Sequence, residues 1–416
     1  MFSDEKNKWL IALATVGIHI SIGSVYAWSV LVKPIMEECG FGLTATTFVF
    51  SLAIFFLGLS ASTLGKYVDK YGAKVTGLVA TMCFVLGLFG TAMAVSMKSI
   101  VLLYVFYGVF VGIGLGLGYV TPVSTLVKYF PNNPGVASGI AIMGFGFGAV
   151  VASPVMQWIV AEYNLASNFL LMGFSYMFIM VLSSLYFSPP KDLKKEEEKE
   201  TAMKPKQVYK TWQFKMLFFL FFINITCGIG LLAVISPMLQ DIFEFTPARA
   251  AAFVGIVGLI NGVGRLLWAS LSDVITRKWT YVVFFLLQAG LFMILGHTAN
   301  EYLFEIFVLV IISCYGGGFS CMPAYLNDLF GKQYLSTIHG RILFAWGLAG
   351  LAGPVLIAIG KEQFGSFEPI LYLFGGLFII NTFLAYYLKN HQEISEETEE
   401  TVFGQPEYSK VYVKIK

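Results

Sequence analysis

The sequence has 416 residues, of which 57% are hydrophobic and 12% are charged, and its formal net charge at pH 7 is +2. Soluble domains carry roughly 25% charged residues, so this composition excludes an ordinary soluble globular protein, which would lack charged side chains to cover its surface. The apolar residues form long continuous runs instead of alternating segments of about ten residues. This pattern excludes a transmembrane β-barrel and predicts membrane-spanning helices.

The apolar runs predict twelve spans. Each comes near the ~20 residues that cross the hydrocarbon core of a bilayer. The first six cover residues 9–33, 44–64, 75–96, 99–127, 135–160 and 167–187. The last six cover residues 214–239, 247–271, 280–297, 302–327, 336–360 and 367–388. We therefore expect an all-α membrane protein with two six-helix bundles, at residues 1–187 and 214–390.

Two polar segments flank the second bundle. Residues 188–213 contain two successive prolines and a dense run of Lys and Glu, so they cannot bury apolar surface. Residues 391–416 are acidic at first and basic at the end. We predict a solvated linker for the first segment and a disordered tail for the second.

The distribution of Lys and Arg predicts the orientation in the membrane. The short loops on the side of the N-terminus carry 8 of these residues, against 4 on the opposite side. Cytoplasmic loops are the ones that carry the excess of positive charge. We predict that both termini and the linker are cytoplasmic, and that the protein lies in the cell membrane (the plasma or inner membrane).

The two halves share a short pattern at equivalent places. Residues 65–74 follow span 2, residues 269–278 follow span 8, and both fit a small-xxx-Asp-xx-small-x-Lys frame. Two matching six-span halves are typical of transporters built from parallel repeats, which bind their substrate at the interface of the repeats. The pattern therefore favours a site between the two bundles.

The sequence resembles the major facilitator superfamily and, within it, the oxalate/formate antiporter family, which includes bacterial monocarboxylate carriers. Residues 65–74 resemble the superfamily's signature between helices 2 and 3. The closer resemblance is carried by five further segments, at residues 23–30, 144–148, 261–265, 315–331 and 339–346. The resemblance implies the major facilitator fold and a secondary carrier of small organic carboxylates that works by alternating access.

An arginine, Arg265, stands inside span 8 among apolar residues. An arginine at the centre of a spanning helix costs about 2.5–3.5 kcal/mol on insertion scales, so it normally faces a cavity or a partner. Its planar guanidinium matches a carboxylate with two parallel hydrogen bonds. The alternatives are that it extends to the interface or pairs with a structural acid, yet no Asp or Glu lies deep in any predicted span. The resemblance likewise implies that an arginine of this span binds the substrate carboxylate.

Aromatic residues on spans 1, 4, 10 and 11 are the next candidates for the site. Tyrosine and tryptophan donate hydrogen bonds to an anion while their rings exclude water, although they also form interfacial belts and ordinary packing. We predict that Tyr26, Tyr119, Tyr315 and Trp346 line the substrate site. Asn261 joins them, because it stands one turn before the arginine, where the related animal monocarboxylate transporters carry an acid. Its amide disfavours proton coupling through an acid–arginine pair, and it leaves open exchange or proton transfer through another group or through the substrate itself.

The resemblance also assigns a gating role to the repeated loop pattern. Gly65, Asp69, Gly72 and Asp273 match residues that tie neighbouring helix ends together on the cytoplasmic side. Such contacts bias the equilibrium between the two accessible states. The alternative for both aspartates is an ordinary solvated loop charge.

Two titratable residues are candidate proton sites. His19 lies within span 1, where a hydrogen-bonded packing histidine is the alternative. Asp241 lies at the outer end of span 7, and its position at a helix end is a sufficient alternative explanation.

These inferences favour a secondary active transporter of small organic carboxylates. Monocarboxylates such as lactate, pyruvate or formate are preferred, because Arg265 is the one firm cation in the spans. An oxalate/formate-type dicarboxylate exchanger and a carrier of another small solute are the alternatives. A membrane receptor with a degenerate transporter fold would need a large folded cytosolic domain, which neither the linker nor the tail supplies.

The sequence offers no cluster for catalysis or metal binding. The five cysteines lack metal-ligand spacing, and no ATP-binding motif or catalytic His, Asp and Glu cluster is present. We therefore predict no enzyme activity, no metal and no cofactor. The expected partners are the carboxylate, protons or a counter-anion, and the lipid bilayer, without nucleic acid, and the expected state is a monomer.

Overall fold

The computed structural model describes residues 7–130, 134–188, 204–331 and 334–388, almost all of them helical. Twelve of the helices are long and apolar enough to cross a membrane, which confirms the predicted all-α architecture. In chain order they are α1 (Lys8–Cys39), α2 (Leu43–Leu64), α3 (Lys66–Ser96), α4 (Ile100–Tyr129), α5 (Pro134–Glu162), α6 (Leu165–Tyr186), α7 (Trp212–Phe243), α8 (Pro247–Ile275), α9 (Arg277–Leu295), α10 (Glu301–Phe330), α11 (Leu335–Phe364) and α12 (Glu368–Tyr387).

Successive helices alternate in direction, so the bundle has two faces. The linker face is the one where α6 ends and α7 begins, and the distal face is the one where α1 and α7 end. A single helical turn, Pro205–Val208, precedes α7, and Val208 is buried. Tyr209 then donates its hydroxyl to the carbonyl oxygen of Thr337 on α11 at 3.3 Å. This end of the predicted linker packs on the second half, whereas residues 189–203 and the predicted tail lie outside the described residues.

Most helices extend beyond the predicted spans. For example, α1 continues past Lys33 to Cys39. Hydropathy falls at the first charged residue, but the backbone hydrogen bonds continue until a residue interrupts them. Gly40 and Gly365, with φ of 76° and 72°, end α1 and α11, because glycine adopts the left-handed conformation without a steric penalty.

Glycines permit the closest contacts between the two halves. A Cβ added to Gly58 of α2 would lie 2.5 Å from the backbone nitrogen of Gly347 on α11. A Cβ added to Gly146 of α5 would lie 2.9 Å from the Cα of Gly262 on α8. Residues without a side chain let helix backbones approach closely in a membrane. The halves therefore meet along two seams, α2–α11 and α5–α8.

An irregular turn interrupts α1 near the middle of its length. Residues Ser24–Ala27 form a 3₁₀ turn, and Gly23 before it lies directly against the backbone of Phe145 on α5. A 3₁₀ turn winds more tightly than an α-helix and so changes the direction of the side chains that it carries. Tyr26 lies in this turn and is buried.

The repeated loops adopt the same backbone conformation at one position of their shared frame. Gly72 has φ 81° and ψ 158°, and Thr276 has φ 74° and ψ 154°. Glycine enters this region readily, whereas a threonine there is strained. The second half therefore keeps the geometry of the first at a position where it has lost the glycine.

Candidate functional site

Arg265 lies at the α5–α8 seam and is 3% exposed. Its Nη1 donates to the carbonyl oxygen of Ile142 on α5 at 3.2 Å, which joins the two halves. Its Nε and Nη2 are buried and have no hydrogen-bond partner among the described residues. These two nitrogens form one edge of the guanidinium, the edge from which an arginine binds a carboxylate with two parallel hydrogen bonds.

Among the residues that the structure describes, no Asp or Glu forms an ion pair with Arg265. In the part of the chain that the structure describes, Arg265 is the only charged side chain that is buried. The ring of Phe319 on α10 faces it, with the guanidinium carbon 5.2 Å from the ring centroid. A cation over an aromatic face is stabilised by about 0.5–2 kcal/mol, which offsets only part of the cost of burying the charge.

Four predicted site residues, from four different helices, lie in one cluster beside the arginine. Tyr26 of α1 and Tyr315 of α10 place their hydroxyl oxygens 3.0 Å apart. The ring of Tyr119 on α4 lies 5.5 Å, centroid to centroid, from that of Trp346 on α11. Arg265 lies close enough to Tyr26, Tyr119 and Tyr315 for its charge to interact with each of them.

Two phenylalanines complete this group of rings. Phe145 of α5 makes edge-to-face contacts with Tyr26, Tyr119 and Trp346, and Phe319 of α10 makes them with Tyr315 and Trp346. Sequence analysis missed both, although each stands beside a glycine of a family-like segment. We call the set of Tyr26, Tyr119, Phe145, Tyr315, Phe319 and Trp346 the aromatic cage.

Asn261 lies one turn before Arg265 on α8 and is fully buried. Neither its amide nitrogen nor its amide oxygen has a hydrogen-bond partner in the described residues. A Cβ added to Gly316 of α10 would lie 3.3 Å from that nitrogen, so the amide lies between α8 and α10. The indole nitrogen of Trp346 is likewise buried without a described partner. The site thus presents several unused donors around one positive charge.

His19 lies beside the aromatic cage. Its Nδ1 is 3.0 Å from the carbonyl oxygen of Thr15, and its ring packs edge-to-face on Tyr119 at 5.6 Å. Its Nε2 is buried and unpartnered in the described structure. His19 is thus placed where a proton on it would act on the same site as Arg265.

The predicted gate residues lie at the linker face, away from the cage. Arg277 binds Asp273 and Ser272, and its Nε donates to Asp328 of α10 at 3.3 Å. These contacts join α8, α9 and α10 within the second half. Gly65 caps α2 and Gly72 interrupts α3. The side chain of Asp69 lies outside the described part of the structure.

Asp241 lies at the distal face in an ion pair that joins the halves. Its Oδ1 is 2.8 Å from Lys33 Nζ of α1, and its Oδ2 is 3.6 Å from Lys361 Nζ of α11. Beside it, Glu362 of α11 accepts hydrogen bonds from the backbone nitrogen (2.9 Å) and the hydroxyl (2.7 Å) of Thr44 on α2. We call these five residues the distal latch. Sequence analysis did not pair them, because they come from four different helices.

A cavity of about 440 Å³ opens beside the latch at the distal face. It lies between α1, α5, α7 and α8, and its lining includes Lys33, Gln157 and Gln240. Among the described residues, no group of three or more His, Cys, Asp or Glu is placed to hold a metal ion.

The chain matches the family model of the Major Facilitator Superfamily over residues 12–354 and again over residues 217–412. Among solved structures, it resembles the crystal structure of a D-xylose-proton symporter, with a TM-score of 0.73 and 15% identity. That alignment covers 92% of this chain and 99% of the other. This structural likeness shows that the two proteins share a fold over almost the whole chain.

Several curated proteins are similar at low identity over most of the chain. The oxalate:formate antiporter of Oxalobacter formigenes is 24% identical, over 86% of this chain and 86% of its own length. An uncharacterised transporter of Escherichia coli (strain K12) is 24% identical, over 83% of this chain and 87% of its own length. Monocarboxylate transporter 4 of Gallus gallus is 25% identical, over 81% and 74%.

Proposed function

The chain belongs to the major facilitator superfamily and is a multi-pass membrane transporter, and from this premise we propose that it carries small monocarboxylate anions by alternating access. The observation that carries the proposal is the free Nε/Nη2 edge of Arg265, buried between the halves. The names of the oxalate:formate antiporter and of monocarboxylate transporter 4 support the same substrate class.

A carboxylate bound to this edge would give hydrogen-bond partners to two buried nitrogens that otherwise have none among the described residues. Each buried donor without a partner costs about 1–3 kcal/mol, and more when it is charged. A carboxylate would accept from both nitrogens while Nη1 keeps its bond to Ile142. The aromatic cage would exclude water and so strengthen this ion pair, because a low dielectric increases the attraction between charges.

The count of charges favours a monoanion over a dianion. One carboxylate neutralises Arg265, whereas oxalate would leave one negative charge uncompensated in a low dielectric. The neighbouring cations are engaged elsewhere. Lys33 pairs with Asp241 at the distal face, and Arg341 lies at the start of α11, with its guanidinium carbon 6.0 Å from the ring centroid of Tyr209.

Alternating access needs contacts that release one face at a time. The distal latch would hold the two halves together at the distal face in the conformation described. Asp273, with Gly65, Asp69 and Gly72 of the first copy, would act at the linker face. We place both termini and residues 188–213 in the cytoplasm of a cell whose plasma or inner membrane holds the monomeric carrier.

Uptake into liposomes tests the proposal. Purified protein is reconstituted and offered labelled formate, lactate, pyruvate or oxalate, with and without a pH gradient or an internal counter-anion. We expect uptake of a monocarboxylate. Arg265→Ala should abolish this uptake, and Arg341→Ala, the matched control, should retain it.

If oxalate displaces the best monocarboxylate at equal or lower concentration and neutral pH, the dicarboxylate alternative is correct. Stimulation by the pH gradient would implicate a proton carrier such as His19 or Asp241, and dependence on internal anion would indicate exchange.

A further inference from the structure

Two fully buried amide side chains connect three helices of the second half. Gln288 of α9 donates its Nε2 to Oδ1 of Asn224 on α7 at 3.1 Å. Asn224 in turn donates its Nδ2 to the backbone carbonyl oxygen of Tyr315 on α10 at 3.4 Å. Buried polar groups in a membrane span are costly unless they are partnered, so such a chain of hydrogen bonds calls for a role.

The helix that receives this hydrogen bond lies close against α7 and α8 at that point. Three glycines, Gly316 to Gly318, follow Tyr315 directly. Glycine loses more conformational entropy on folding than any other residue and has no side chain to pack. A Cβ at Gly318 would overlap the amide of Asn224, so the glycine is what lets the amide reach α10.

The ring of Tyr315 is held by the same helix as its carbonyl. Gly228 stands one turn after Asn224 on α7, and a Cβ there would overlap the ring of Tyr315. One face of α7 thus contacts Tyr315 twice. The amide of Asn224 binds its carbonyl oxygen, and its ring packs on Gly228. The hydroxyl at the end of this ring meets Tyr26 of the other half at 3.0 Å.

We propose that Asn224 and Gln288 are positioning residues that set the hydroxyl of Tyr315 against Tyr26 and against the carboxylate. The expected effect on transport rests on the proposed function, whereas the expected effect on the position of Tyr315 does not. Without the amides, the carbonyl of Tyr315 would lose its hydrogen bond to α7, and the hydroxyl would shift from its place at the interface between the halves. The amides do not line the aromatic cage themselves.

Transport kinetics give the first test, with whichever of labelled formate, lactate, pyruvate and oxalate the wild type takes up fastest. Asn224→Leu should raise KM about three- to tenfold, a range typical of residues coupled through a shared network. Gln288→Leu should raise it in the same direction and less. In a Tyr315→Phe background, neither substitution should raise KM further. The matched control is Asn381→Leu, since Asn381 is a buried amide of the same half that donates to Leu220 O at 3.0 Å. It should leave KM unchanged, and an equal rise in the control would overturn the proposal.

Thermal unfolding of the purified variants gives a second test that needs no substrate. Tyr315→Phe should lower the unfolding midpoint of the wild type by removing the bond to Tyr26, and should lower that of Asn224→Leu by much less. In the Asn381→Leu background its effect should equal that in the wild type. Equal effects in all three backgrounds would refute the positioning role. If Arg265→Ala leaves uptake intact, the proposed function fails, while this cycle still decides the role of Asn224.

Discussion

Arg265 on α8 and Ile142 on α5 are joined by a hydrogen bond of 3.2 Å between guanidinium Nη1 and a backbone carbonyl. The bond uses the nitrogen that lies off the free edge, so a carboxylate can bind the arginine without breaking the contact between the halves. In the proposed function, the same side chain would bind the substrate and bridge the seam. Binding at its edge and movement of the halves would then be coupled through one guanidinium.

The arginine is the first residue to vary. We expect Arg265→Ala to reduce carboxylate uptake at least about 100-fold, because a charge-assisted bidentate contact is lost in a water-excluded site. Arg265→Lys should rescue poorly, since an ammonium is a point charge without the planar edge. Uptake is compared at equal amounts of membrane-inserted protein, which the alanine variant should reach because insertion no longer has to bury a charge. Wild-type uptake by the alanine variant would refute the binding role.

Weakening the distal latch should make the cavity beside it more accessible from the distal face and leave the Arg265 site unchanged. Asp241→Asn removes the pairs with Lys33 and Lys361, and partly exposed ion pairs contribute about 0.2–1 kcal/mol each. We expect a cysteine at position 157, in the cavity beside the latch, to react about two- to fivefold faster with an impermeant maleimide added at the distal face. The background lacks the native cysteines.

Arg249→Gln is the matched control for the latch. Arg249 pairs with Glu301 at 2.9 Å on the same face, and both residues belong to the second half. Its loss should leave the labelling rate at position 157 unchanged. If both variants accelerate labelling equally, the effect reflects a general loosening of the helices at the distal face. The latch would then not control the accessibility of that face.

The strained backbone of Thr276 predicts a stabilising substitution. A non-glycine residue in this region is destabilised by about 1–3 kcal/mol, so Thr276→Gly should raise the thermal unfolding midpoint by a few degrees. The carbonyl of Thr276, which accepts the hydroxyl of Thr280, is retained in the variant. Gly72→Ala should shift the midpoint in the opposite direction, because it introduces the same strain in the first copy. A lower midpoint for Thr276→Gly would contradict the strain argument.

Asn261 predicts a pH dependence that the wild type lacks at this position. In Asn261→Asp, an ionised carboxylate one turn from Arg265 would neutralise the site and weaken anion binding. Protonation of that carboxylate at lower pH would restore the positive charge. Uptake by the aspartate variant should therefore fall as pH rises and recover as pH falls. Asn261→Leu, which carries no charge at any pH, should show no added pH dependence, and the same profile in both variants would refute the argument.

The orientation can be checked with single cysteines in a cysteine-free background. Gln207→Cys, in the helical turn Pro205–Val208 of the predicted linker, should react with an impermeant reagent only from the cytoplasmic side. Tyr163→Cys, in the exposed connection between α5 and α6 at the distal face, should react only from outside. Reaction in the opposite sense at either position would reverse the topology drawn from the Lys and Arg distribution.

Sequence determined the features that depend on each segment alone. The twelve spans follow from hydropathy, and the expectation that Arg265 faces a cavity or a partner follows from the cost of burying a charge in any apolar helix. The repeated frame also identified Thr276 as the counterpart of Gly72, which share their backbone conformation. Each of these inferences needs only residues that are close along the chain.

Tertiary structure decided which of these segments meet. Tyr26 and Tyr315 were predicted separately, but only the arrangement of the helices brings their hydroxyls together across 289 residues. The latch between Lys33 and Asp241 and the amide chain from Gln288 to Tyr315 had no sequence signal, because a side chain's partner on another helix is set by rotation and depth in the bundle. Hydropathy reports whether a residue lies in the membrane and carries no information about which neighbour it faces there, so the contacts that build the site were decided by the fold.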